Sequence, residues 1–189
     1  MDTRIISLRS PHLILAGIGA SERLGQEAMN IGAQKALVVT DKGVANSGIG
    51  KNIKDHLEKN GLRVGIFDEV MSDSDIANAE ACIEAAKKDQ YDLIIGVGGG
   101  SSMDIASTTS VMLTNPGTVY GYFGINLVKN PGIPTILIPT TAGTGAEVTP
   151  NAILTDTKEK LKKAIVSPYI LPRVAIVDPL LTLSMPPPV

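Results

Sequence analysis

The chain has 189 residues, 43% of them hydrophobic, which suffices for one α/β domain with its own core and excludes wholesale disorder. The formal net charge is −2 and aromatic residues make up only 3%, which excludes a basic nucleic-acid footprint and a stacking platform for single strands. No apolar run is long enough for a membrane helix, the opening MDTRIISLRSPH lacks a signal-peptide pattern, and the single cysteine, Cys82, cannot form an internal disulfide. A cytoplasmic protein with no membrane and no nucleic-acid partner is therefore expected.

Ile5–Leu8 and His12–Ala16 are short apolar runs on either side of Ser10-Pro11, and a hairpin is expected there. Gly17-Ile18-Gly19 follows, then a helix from about Ser21, a plausible N-cap, to Ile31, with Gly32 as its stop. Lys35–Thr40 reads as a strand ended by Asp41-Lys42-Gly43. Gly48–Asn60 is amphipathic through Ile49, Ile53 and Leu57, and Arg63–Phe67 is the next strand. Asp73 or Ser74 is expected to cap a helix with Ile76, Ala79, Ile83 and Ala86 on one face. Cys82 falls on or beside that stripe and reads as core.

The next element dominates the chain. Leu93 to Val97 is a short apolar run that reads as a buried strand, and it stops at Gly98-Gly99-Gly100. Ser101-Ser102-Met103-Asp104 then opens a helical pattern through Ile105, Thr109, Met112 and Leu113, with Ser101 and Asp104 spaced as a capping-box variant. Glycines let an anion approach bare backbone, and a helix start supplies free N–H groups and the positive end of the dipole. A phosphate-binding turn is the expectation, and a ligand-free tight turn is the alternative. Alternation of strand and helix up to Asn115-Pro116-Gly117 predicts a Rossmann-like parallel sheet with helices on both faces.

Beyond it, Gly117–Asn130 is loop-rich and Thr135–Ile138 reads as a buried strand closed by Pro139. Thr140-Thr141-Ala142-Gly143-Thr144-Gly145-Ala146-Glu147-Val148-Thr149 is dense in hydroxyl and glycine residues. Ala152–Thr155 and Lys163–Val166 flank Asp156–Lys160, so a β-hairpin is expected, and Val174–Val177 is the last strand.

Asp41, directly after the second main strand, can accept hydrogen bonds from both hydroxyls of an adenosine ribose and repel a 2′-phosphate, which favours NAD over NADP; the alternative is a turn aspartate capping the next segment of chain. Gly17-Ile18-Gly19 resembles a dinucleotide fingerprint, but Glu22 stands where the third glycine belongs, so Gly98–Gly100 ranks above it. Thr140, Thr141, Thr144 and Thr149 present hydroxyls at a strand's carboxyl end, where open α/β sheets bind ligands, or bond to their own backbone. Lys162 can reach a phosphate or ribose, or is a solvated hairpin lysine. The two histidines, His12 and His56, share no ligand spacing with each other or with Cys82. Asp104 reads as a helix cap, not a titrating group.

Taken together, Thr40-Asp41-Lys42-Gly43, GVGGGSSMDIA from Gly96 to Ala106, IPTTAGTGAEVT from Ile138 to Thr149, and AIVDP with LSMPP between Ala175 and Pro187 resemble the iron-containing (group III) alcohol dehydrogenase family. That resemblance implies a dehydroquinate-synthase-like N-terminal domain holding NAD(P), and an all-helical C-terminal domain that completes the active site around Fe²⁺ or Zn²⁺. It implies hydride transfer between NAD(H) and a small primary alcohol or diol, or its aldehyde, in a homo-oligomer. By position, Asp41 would set cofactor choice and Gly98, Gly99, Gly100, Ser101 and Ser102 would hold the pyrophosphate. Thr140, Thr141, Thr144 and Thr149 would line the nicotinamide side, and Lys162 would contact the nicotinamide ribose region.

The chain departs from that pattern where Met71-Ser72-Asp73-Ser74 replaces a frequent Pro-Asn-Pro-Thr run, and where Ser107 replaces a frequent lysine. The family's metal ligands, an aspartate and three histidines, lie beyond the Met-Pro-Pro motif, and Val189 precedes them. Residues 1–184 are therefore expected to form the cofactor domain and 185–189 the start of a linker. A stand-alone nucleotide-binding module and a glycerol-dehydrogenase or dehydroquinate-synthase relative are the other readings.

Overall fold

The structure is a computed structural model, and it describes residues 5, 6, 8–183 and 185. Its centre is a six-stranded, wholly parallel sheet. In chain order the strands are β1 (Leu13–Ala16), β2 (Lys35–Val39), β3 (Arg63–Phe67), β4 (Leu93–Gly98), β6 (Thr135–Pro139) and β9 (Val174–Val177), and in space they run β1-β9-β6-β4-β2-β3. A second sheet joins β5 (Gly124–Ile125), β8 (Leu161–Val166) and β7 (Asn151–Asp156), with β7 and β8 forming the expected antiparallel hairpin. The helices are α1 (Leu24–Ile31), α2 (Lys42–Asn46), α3 (Ile49–Lys59), α4 (Ile76–Lys87) and α5 (Gly100–Met112).

Strand periodicity divides the core into two layers. Ala36 and Val38 of β2, Ile95 and Val97 of β4, and Ile136 and Ile138 of β6 face Leu24 and Ala28 of α1 and Ile53 and Leu57 of α3. Leu37 and Val39, Ile94 and Leu137 point the other way, toward Ile83 of α4 and Met103 and Ile105 of α5. Every residue of β4 and β6 is buried, as a parallel strand covered on both faces requires. Ala152 and Leu154 of β7 and Ile165 of β8 join the second layer, so the small sheet is seated on α5. Cys82 is fully buried there, and burial pushes its thiol up to about 12, so it is an inert core residue.

Several local expectations change. Leu13–Ala16 pairs in parallel with β9, not in a hairpin with the preceding run; Ile5, Ile6 and Leu8 are exposed and outside any strand, and residue 7 lies outside the described residues. The first helix begins as a 3-10 turn over Ala20–Arg23, entered from Gly19 at φ 80, and the Ser21 hydroxyl donates to Asp178 at 2.6 Å instead of capping. Asp75, one residue beyond Ser74, caps α4 by accepting from the Asn78 amide. Residues 184 and 186–189, on which the expected domain boundary falls, lie outside the described residues. Among the described residues no helix is long and apolar enough to cross a membrane.

Candidate functional site

The sheet order places the topological switch between β2 and β4. The chain leaves β2 through α3 on one face, and leaves β4 through α5 on the other. In open α/β sheets the ligand crevice lies at such a point, beyond the carboxyl ends of the strands, and Asp41 and Gly98 stand side by side there.

Asp41 adopts extended backbone and accepts from the Val44 amide at 3.0 Å through Oδ1, so it caps α2 as well as facing the crevice. Its Oδ2 lies 3.2 Å from where a Cβ on Gly98 would sit. Gly98 has φ 145, which side-chain-bearing residues rarely adopt, and a Cβ there would lie 2.5 Å from Ser102 Oγ. Gly99 is the N-cap of α5 with ordinary φ, and no side chain caps the helix. The Ser101–Asp104 capping box is therefore not formed. The first amides of α5, at Gly100, Ser101 and Ser102, have no acceptor within the helix and lie at the positive end of its dipole. Gly100 and Ser101 are half-buried, whereas Ser102 is buried as a whole residue.

The threonine loop closes over this turn. Thr140 donates its amide to the Gly98 carbonyl at 2.9 Å and is itself nearly buried. Thr141 lies 3.5 Å from the position a Cβ on Gly99 would take, and Thr144 lies 3.2 Å from that on Gly100. An adjoining cleft of about 340 Å³ is lined by Gly100, Ser101, Thr144, Thr149 and Lys162 of the expected residues. Asp73, Ser74, Asp104 and Thr155 complete its charged and hydroxyl lining. Nine expected residues thus gather along one glycine turn and its flanking loops, and Lys162 and Thr149 reach the same cleft from the far side of it.

Sequence reasoning misses Asp104. Three residues after Ser101, it lies on the same side of α5, and that helical spacing is the signal for it. Burial raises its carboxyl to about 7, with the Ile153 backbone and the Lys162 charge pulling the other way. Asp73 is expected only as a cap. It sits at φ 56, which proline cannot adopt, and forms an ion pair with Lys162 at 2.7 Å. Asp156 holds the hairpin that carries Lys162: its buried carboxylate accepts from Lys163 at 2.8 Å and from the Lys158 and Glu159 amides. The Lys163 hydrogen bond is the main reason its pKa falls below the usual carboxylate range.

The Gly17-Ile18-Gly19 turn is engaged internally. Buried Asp178 accepts from the Gly19 amide at 3.2 Å and from the Ser21 amide at 3.1 Å. Burial raises the Asp178 pKa, but these bonds, led by that of the Ser21 hydroxyl, outweigh it and the net shift is downward.

Among the described residues, no group of three or more His, Cys, Asp or Glu side chains comes together that can hold a metal ion. The metal that the resemblance implies has no donor set among them.

Residues 11–179 match the family model described as iron-containing alcohol dehydrogenase. The chain belongs to the iron-containing alcohol dehydrogenase family. It is 41% identical over 174 residues to the sulfoacetaldehyde reductase of Bilophila wadsworthia (strain 3_1_6), covering 92% of this chain and 45% of that protein. A crystal structure of 1,3-propanediol oxidoreductase superposes with a TM-score of 0.93 at 36% identity, over 97% of this chain and 48% of that one. Sulfoacetaldehyde reductase from Bifidobacterium kashiwanohense, solved in complex with NAD⁺, superposes with a TM-score of 0.87 at 31% identity, over 97% of this chain and 49% of that one. The chain spans about half the length of the curated relatives it matches.

Proposed function

We propose that this chain is the NAD-binding half of a metal-dependent alcohol dehydrogenase that moves hydride between NAD(H) and a small primary alcohol or diol, or the corresponding aldehyde. The observation that carries the reading is the β4–α5 junction: a glycine turn at the switch point of a parallel sheet, with uncapped amides at the start of a long helix. Two relatives support the cofactor. One is an NAD-dependent methanol dehydrogenase from Bacillus methanolicus, 35% identical over 176 residues, and the other is the sulfoacetaldehyde reductase solved with NAD⁺.

In this reading the Gly100, Ser101 and Ser102 amides receive the pyrophosphate, with Gly98 and Gly99 keeping the approach clear. Asp41 accepts from the adenosine ribose hydroxyls. Thr141, Thr144 and Thr149 orient the nicotinamide end, Thr140 fixes their loop to Gly98, and Lys162 serves the nicotinamide ribose. When bound, the dinucleotide supplies the carbon that accepts or donates hydride. No step through a metal is assigned to these residues, and residues 1–184 act as the binding domain without turning over alcohol alone.

Gly99→Val tests the site. Gly99 has ordinary φ, and an added Cβ would meet only Thr141, at 3.5 and 3.6 Å, so the fold tolerates a side chain there while a pyrophosphate does not. Calorimetric titration should show NADH binding lost in the variant. Unchanged affinity would place the site elsewhere.

A further inference from the structure

Among the described residues Lys162 is the one cation lining the cleft, and it is already engaged. Its Nζ meets Asp73 Oδ1 at 2.7 Å, bridging β8 to the loop ahead of α4. Both side chains are well exposed, Lys162 at 62% and Asp73 at 75%, so the pair lies at the rim of the cleft and not in its floor.

Asp73 is held there by bonds that do not involve its own carboxylate. The neighbouring Ser74 carbonyl accepts from the Thr155 amide at 3.0 Å, and Asp75 bridges to Thr155. Thr155 is the cross-strand partner of Lys162 in the β7–β8 hairpin. Backbone bonding therefore presents Asp73 to Lys162 whether or not the ion pair forms.

We propose that Asp73 is an affinity determinant of the cofactor site, holding Lys162 at the rim of the cleft as a strap that an anionic dinucleotide must displace. The inference rests on the proposed binding of NAD(H) at the glycine turn. A pyrophosphate seated on the α5 amides brings negative charge into a cleft whose lysine is paired with a carboxylate. Lys162 has a flexible four-carbon stem and can exchange partners. That exchange gives up the exposed ion pair with Asp73, so binding is weaker than the cleft would otherwise allow. Exposed pairs of this kind correspond to an affinity change of about two- to five-fold.

The test is a double-mutant cycle on the 189-residue chain, reading NADH dissociation constants by calorimetry for the unmutated chain, Asp73→Asn, Lys162→Met and the double variant. Asparagine tolerates the positive φ at position 73, and Asp73→Gly is a second variant that does so. Thermal unfolding confirms that each is folded. Asp73→Asn should tighten binding about two- to five-fold with Lys162 present, and change it little in the Lys162→Met background. Weaker or unchanged binding in both position-73 variants overturns the proposal. An equal gain in the two backgrounds also overturns it, because simple charge repulsion would then suffice. Gly99→Val separates the two readings: if that variant loses NADH while Asp73→Asn and Asp73→Gly have no effect, the strap fails and the cofactor site stands. If the unmutated chain binds no NADH, both fall.

Discussion

The carboxylate of Asp41 lies 3.2 Å from the point at which a side chain on Gly98 would begin, although more than 50 residues separate them in sequence. One residue follows β2 and the other ends β4, and these strands are neighbours because the chain returns to the other side of β2 after forming β3. A single ligand lying over that junction meets the Asp41 carboxylate and the first amides of α5 together. That arrangement suits a diphosphate linked to an unphosphorylated ribose.

Cofactor choice follows from the same pair. A 2′-phosphate placed against Asp41 meets like charge, so NADH should bind more tightly than NADPH. Asp41→Gly removes the repulsion and, glycine being a fair N-cap, costs α2 only a few tenths of a kcal/mol. The ratio of NADPH to NADH dissociation constants should fall by about tenfold, measured by fluorescence titration. Equal affinities in the unmutated chain would exclude this role for Asp41.

Gly98 should be far less replaceable than Gly99. Its φ of 145 and the 2.5 Å approach of Ser102 Oγ leave no room for a methyl group, whereas Gly99 has neither constraint. Gly98→Ala should lower unfolding free energy by about 2–4 kcal/mol, and Gly99→Ala by less than about 1 kcal/mol. Urea denaturation of the two variants compares them directly, and similar midpoints would contradict the geometry.

Local pattern makes much of this fold legible. Arg63–Phe67 and Val174–Val177 are bounded by their apolar residues and flanking turn signals, and the β7–β8 hairpin by the polar Asp156–Lys160 turn. Long-range partners are not legible. Leu13–Ala16 reads as half of a hairpin because a short apolar run is silent about which strand it joins, and its partner, β9, is more than 150 residues away. Capping is ambiguous where several Asp and Ser residues stand together: only backbone geometry separates Asp75 from Asp73 and Ser74, and it assigns Ser21 to Asp178. The glycine turn is readable because three glycines ahead of a helix have few uses. The Asp73–Lys162 pair is not, since it depends on how the hairpin seats against a distant loop.

Asp104 should make stability fall as pH rises. Its folded pKa of about 7 lies above the ordinary 3.8, because burial disfavours the charged form. Between those values the folded chain binds more protons than the unfolded chain, so unfolding free energy declines with pH, and the loss is complete once pH exceeds about 7. Lys162 and Asp73 are the other charges on the cleft, and only Lys162 opposes the shift. Asp104→Asn should flatten the decline across this window and stabilise the chain at pH 8 by on the order of 1–4 kcal/mol. Denaturation midpoints at a series of pH values check it; parallel profiles for the two proteins would contradict the assignment.

The 189-residue chain should bind NADH yet show no alcohol dehydrogenase activity. Hydride transfer requires that the alcohol lose its proton and be held against the reactive carbon of the nicotinamide. Asp104 lines the cleft and has a carboxyl near neutrality, but one carboxyl does not position a substrate. Neither histidine is near: His12 borders a groove with Pro134 and Arg173 at the amino ends of β1, β6 and β9, the opposite end of the strands from the cleft, and His56 lies in α3 on the face opposite α5. The described residues also offer no cluster of three metal-ligating side chains. The check is NAD⁺ reduction with short alcohols and diols, run with Fe²⁺ or Zn²⁺ added and with intact mass confirmed. Absorbance at the NADH band should stay at the enzyme-free rate, while calorimetry on the same sample records NADH binding. Steady metal-dependent turnover would mean that these residues do assemble a catalytic centre.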